Sequence, residues 1–152
     1  MRRLAAAIVL AALPLAACST GSGGGGSGGP TAAGTSPAPV VSLQRFGGIG
    51  GNRDELTVQP DGSWRRTARV GGTTTGTLSA DGRDQLGRMA AEPTLRGEAT
   101  RTVPESDCAD AFDYSLTVGA TRIAWRDCGS ATTPPASASR IARFLLESTN
   151  SK

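Results

Sequence analysis

Three cysteines and no histidine among 152 residues decide which reactions the side chains can carry. Without an imidazole, no Ser-His or Cys-His nucleophile can be assembled. A zinc site built on histidine, or on two cysteine pairs, is excluded in the same way. Glu105, Asp107, Asp110 and Asp113 surround Cys108 and offer the carboxylate oxygens that calcium takes, but their spacing matches no EF-hand loop. The simpler reading is a solvated loop paired with some of the many arginines. Two carboxylates could flank a sugar bond, as in glycosidases, yet no pair stands out and the chain is short for a shielded cleft. Gly47-Gly48-Ile49-Gly50-Gly51 could cradle a phosphate with its backbone amides. No Lys-Ser/Thr follows it, and it leads into a strand rather than a helix, so it reads as a mobile hairpin loop. An exposed Ile49 on that loop would suit contact with a partner. The expectation is therefore a protein without catalytic residues, metal or cofactor, and not an enzyme.

The remaining cysteine chemistry sits near the start. Arg2 and Arg3 precede an apolar run over residues 4–13, too short to span a bilayer and interrupted by Pro14. Leu15-Ala16-Ala17-Cys18 follows, and then a polar glycine tract. This arrangement resembles the lipobox of bacterial lipoproteins. The resemblance implies that residues 1–17 are a signal peptide and that Cys18 carries acyl chains on its thiol and amino group. At about 0.8 kcal/mol per buried methylene, two or three chains hold a protein stably on a membrane. The expected location is the extracytoplasmic face of the cell membrane, with the membrane itself as a partner through Cys18. Removing the signal changes 16 basic and 13 acidic residues to 14 and 13, so the basic balance gives no argument for nucleic acid. With Cys18 acylated, Cys108 and Cys128 form an even pair in an oxidising setting and are expected to be bridged. Such a bridge closes about 21 residues and is worth roughly 3 kcal/mol.

Residues 18–39 are the lipidated cysteine and a tether of Gly, Ser, Thr, Ala and Pro without charge. Nothing in it can bury enough surface to offset the entropy of ordering, and its root-mean-square span is roughly 25 Å. A single domain of residues 40–149 follows, long enough for one small core. Val41 and Leu43 alternate with Ser42 and Gln44, a strand that runs into the glycine loop; Leu56 and Val58 share one face of the next. Pro60-Asp61-Gly62 predicts a turn, and a three-residue loop sets Val58 against Trp64. A returning strand leads to Val70, and another is expected over residues 73–78. Ser79 is placed to cap a helix over residues 80–91, with Leu86, Met89 and Ala90 in the core. Residues 94–107 show little periodicity.

The alternation then resumes. Phe112, Tyr114, Leu116 and Val118 lead through Gly119-Ala120 to Ile123 and Trp125. A two-residue loop pairs Leu116 with Ile123 and Tyr114 with Trp125, and brings Cys128 opposite Ala111, near Cys108. Finally Ser137 is expected to cap a helix to about Ser148, with Ala138, Ile141, Leu145 and either Phe144 or Leu146 inward. The fold class is α+β: a small antiparallel sheet of hairpins with two helices on one face and one disulfide.

On these residues the domain resembles the emfourin family, proteinaceous inhibitors of thermolysin-like metallopeptidases. The resemblance rests on Val41-Ser42-Leu43-Gln44-Arg45-Phe46-Gly47-Gly48-Ile49-Gly50, on the strand into Pro60-Asp61-Gly62, on Leu78, on Asp113-Tyr114-Ser115-Leu116-Thr117-Val118, on residues 123–127 and on the closing helix. Family members often lack a tether, so the lipid anchor and the disulfide are departures. The likeness implies a small rigid domain that occludes a peptidase cleft, with Gly47, Gly48, Ile49 and Gly50 as the contact. The alternative expectation is a non-inhibitory binding or structural module of the cell envelope.

Overall fold

Strict alternation along the strands is what divides this domain into a wet face and a dry one. The computed structural model describes residues 38–103 and 108–150. The signal segment, Cys18, nearly all of the tether, and Glu105 and Asp107 lie outside the described residues. Among the described residues the chain forms β1 (Val41–Gly47), β2 (Asn52–Val58), β3 (Ser63–Ala68), β4 (Gly72–Thr77), α1 (Ala80–Ala90), α2 (Thr94–Glu98), β5 (Phe112–Val118), β6 (Thr121–Asp127) and α3 (Ala136–Ser148). One six-stranded sheet has the order β4-β3-β2-β1-β5-β6, and every neighbouring pair is antiparallel.

The expected α+β class with a disulfide is what the chain adopts. Val58 pairs with Trp64, Leu116 with Ile123 and Tyr114 with Trp125, as the matching of apolar faces requires. Gly62 takes a φ of 86° in the turn before β3. The centre of the sheet is the register that places Leu43 between Leu56 and Leu116, and Val41 between Val58 and Val118. These side chains are buried together with Leu86, Met89, Leu95, Ala138, Ile141 and Leu145 from the three helices. The opposite face carries Ser42, Gln44, Glu55, Thr67, Thr117 and Arg122, the polar half of the same alternation.

Helix ends differ from expectation in one place. Ser79 caps α1 as its position suggests, its hydroxyl accepting from the Gly82 amide at 3.1 Å. Ser137, by contrast, does not cap α3; the helix begins two residues earlier than that cap implies, at Ala136 after Pro135, and Ser137 is buried. Its hydroxyl hydrogen-bonds that of Thr94 at 2.7 Å. Cap duty passes to Glu98 on α2, whose carboxylate accepts from the Ser137 amide at 2.8 Å and the Ala138 amide at 2.9 Å. A carboxylate at that end satisfies two orphan donors and meets the positive end of the helix dipole. Residues 94–98 thus form a short helix that sequence periodicity does not announce, with Leu95 in the core and Thr94 and Glu98 bonded to the start of α3. Glu98→Ala is expected to cost about 1–2 kcal/mol, read by urea denaturation. An unchanged midpoint would show that water replaces the carboxylate at no cost.

Candidate functional site

Antiparallel strands of six or seven residues put both ends of the sheet to use. At one end lie the entry of the chain into β1, the Pro60–Gly62 turn and the start of α1. At the other lie the β1–β2 loop, the β3–β4 turn, the start of β5 and the end of β6. The two ends are about 20 Å apart, given seven residues at about 3.3 Å each.

The glycine loop is at the second end, and it is tied down on three sides. Gly47 has a φ of 113°, and a side chain there would run into the Ala111 carbonyl oxygen. Gly48 has a φ of 72° and lies against the Phe112 ring, where a Cβ would come within 2.5 Å of Cζ. Only glycine fits either position. The Gly48 amide donates to the Ala111 carbonyl at 2.9 Å, and the Gly51 amide donates to the Gly48 carbonyl at 2.9 Å. From the neighbouring turn, the Arg69 guanidinium donates to the carbonyls of Gly50 at 2.5 Å and Gly51 at 3.0 Å. These bonds give the loop, which composition suggests is mobile, a defined hydrogen-bonded shape. Ile49 stands at its summit, 91% exposed.

Below the loop, on the helix side of the sheet, Asp54 is buried between two arginines. Arg45 reaches it through Nε at 3.0 Å and Nη2 at 2.5 Å, and Arg66 through Nε at 3.2 Å and Nη2 at 2.8 Å. Arg66 also donates through Nη1 to Asn150 at the end of α3, at 2.6 Å. Burial alone would raise the Asp54 carboxyl, but the hydrogen bonds from Arg66 and Arg45, with their charges, outweigh it and hold it below the usual carboxylate range. Arg45 lies over the Phe112 ring, 5.1 Å from its centroid, and Phe112 backs Gly48. The buried cluster therefore buttresses the loop through one ring.

Cys108 and Cys128 are joined by a disulfide, with Cα atoms 6.1 Å apart, across the start of β5 and the end of β6. It closes the open end of that hairpin beside the Ala111 carbonyl to which Gly48 is bonded. Of the acidic residues near Cys108, Asp113 is held by Arg126, through Nε at 2.7 Å and Nη2 at 3.2 Å, on the polar face of the sheet. That contact is the arginine pairing expected of a solvated acidic segment, and it occupies the carboxylate.

The structure thus gathers Gly47, Gly48, Ile49, Gly50, Cys108 and Cys128 at one end of the sheet. Three features there are not legible in the sequence: the Arg69 clamp, the exposure of Val70 and the Arg45–Asp54–Arg66 cluster. A charged residue at an inward position of β2 was a signal for the last. A second concavity, of about 390 Å³, lies between α3 and the β5–β6 hairpin. Tyr114 and Trp125 line it, stacked with centroids 4.8 Å apart and planes 1° from parallel, with Asp127, Arg143 and Glu147 at the rim. No helix among the described residues is long and apolar enough to cross a membrane. No protein-family model matches the chain, and no curated protein matches it significantly.

Proposed function

We propose that this chain is a membrane-anchored extracytoplasmic lipoprotein, held by acylated Cys18, whose domain is emfourin-like and inhibits a thermolysin-like metallopeptidase. The observation that carries the reading is the fixed glycine loop with Ile49 outermost. A loop that is already ordered loses little entropy on entering a cleft, so most of the contact energy remains for affinity. The lipobox-like Leu15-Ala16-Ala17-Cys18 supports the location, and the uncharged tether supplies reach. In this reading the domain performs no chemistry; Gly47, Gly48, Ile49 and Gly50 occlude, and the partner's own machinery is left without access.

The test is titration of the mature chain into secreted metallopeptidases of the thermolysin type. Hydrolysis should fall at micromolar chain, and Ile49→Asp should weaken inhibition about 30-fold or more while the unfolding midpoint stays put. Full hydrolysis at micromolar wild-type chain sinks the proposal. The groove beside Tyr114 and Trp125 favours a second reading, a non-inhibitory envelope-binding module, because its volume lies in the range of small-ligand sites. Under that reading the Ile49 loop is dispensable, and Tyr114→Ala, not Ile49→Asp, removes the interaction.

A further inference from the structure

We infer that the contact surface is a pair of hairpin tips rather than one loop: Val70 is a second apolar anchor beside Ile49, and Arg69 locks the two tips into one unit that fits a cleft with two neighbouring apolar subsites. The inference rests on the inhibitory reading and extends it to residues that the resemblance does not include.

Among the described residues, two large apolar side chains are almost wholly in water, Ile49 at 91% and Val70 at 86%, while the next, Val40, is only 40% exposed. Both belong to the same end of the sheet, on the adjoining β1–β2 and β3–β4 turns. Arg69 stands directly before Val70 and gives its Nη1 protons to the carbonyls of Gly50 and Gly51, directly after Ile49. One guanidinium therefore fixes one tip relative to the other. The Arg69 amide also donates to the Arg53 carbonyl at 2.9 Å, which holds the second turn against β2.

The partner's chemistry follows from what the tips carry. Residues 48–51 and 70–72 are Gly, Ile and Val, without a charged side chain. The Arg69 guanidinium beside them is turned onto backbone carbonyls, and that of Arg53 lies over the Phe46 ring and pairs with Glu55. Such a surface is convex and apolar, so its complement is a concave, uncharged cleft with room for two aliphatic groups, as a peptidase that binds apolar side chains provides. Side chains that fill well-packed, desolvated pockets near the centre of an interface carry most of its binding energy, while the weaker contacts around them exclude water. Residues 38–40 lead into β1 at the end of the sheet opposite the tips.

The experiment uses the mature chain and a thermolysin-like metallopeptidase that the wild type inhibits. Val70→Asp should raise the inhibition constant about 30-fold or more, as Ile49→Asp does, with both unfolding midpoints unchanged. Val40→Asp, at the other end of the sheet, should leave it within about twofold. Arg69→Ala should raise it about tenfold and speed hydrogen exchange of the Gly51 amide, because the loop must then be ordered on binding. Inhibition lost in Ile49→Asp but intact in Val70→Asp overturns the two-tip inference and leaves the inhibitory reading standing. Unchanged Gly51 exchange in Arg69→Ala overturns the lock. A wild-type chain that inhibits no such peptidase overturns the reading, and this inference with it.

Discussion

Asp54→Asn should lower the unfolding free energy by about 3 kcal/mol, at the low end of the range for breaking a buried ion pair because both arginines keep some contact with water. The substitution preserves volume and leaves an acceptor, so what it removes is the negative charge between two guanidinium groups. Arg45 and Arg66 are then left close together, partly buried and uncompensated. For a domain of this size the loss corresponds to a fall of roughly 12–24 °C in the unfolding midpoint. The effect has a pH signature. Asp54 titrates below its ordinary value of 3.8 in the folded protein and near that value when unfolded. Its contribution is therefore present above about pH 4 and is lost as pH falls through the lowered folded value. Wild type and variant should differ fully at pH 7 and converge in strong acid. A gap that persists unchanged to pH 2 would assign the loss to packing instead of charge. Because Arg45 also lies over Phe112, the same variant should speed exchange of the Gly48 amide.

Leu43→Ala is expected to cost about 3–5 kcal/mol, the upper range for emptying a leucine site that cannot collapse. Leu43 is 0% exposed and stands between Leu56 and Leu116 on the central strand, with helices above it. None of these neighbours can move inward without leaving its own register. Gln44→Ala, one residue along and on the wet face, should change stability by less than about 0.5 kcal/mol. Urea denaturation of the pair measures the contrast directly. Comparable losses for both would mean that the sheet is covered on two faces, against the alternation seen here.

The two hairpins were readable because their evidence is local. Turn chemistry at Pro60–Gly62 and Gly119 marks the loops, and the matching of apolar faces, Val58 on Trp64 and Tyr114 on Trp125, selects their lengths. Once the second register holds, Cys128 faces Ala111, three residues from Cys108, and the expected bridge is within reach. The glycine loop was legible as a loop with Ile49 exposed, but not as a fixed one. Its order comes from Ala111, Phe112 and Arg69, residues 18 to 64 positions away, and composition carries no trace of such partners.

The same division explains α2 and the cap of α3. A five-residue helix has too few turns to show periodicity, and Glu98 acquires meaning only when the fold brings it to Ser137 and Ala138, 39 and 40 residues on. Likewise, the alternation in β1 and β5 determines which faces are apolar but leaves open which strands lie side by side. By itself, then, the chain's order of residues determined the strands, their inward faces and two hairpin registers, because each depends on neighbours within a few residues, and it made the Cys108–Cys128 bridge the expected pairing. The tertiary structure alone decided the β1–β5 seam, the buried Arg45–Asp54–Arg66 cluster and the joining of Ile49 and Val70 at one end. Those depend on contacts between distant segments, and many pairings satisfy the same apolar pattern until packing selects one.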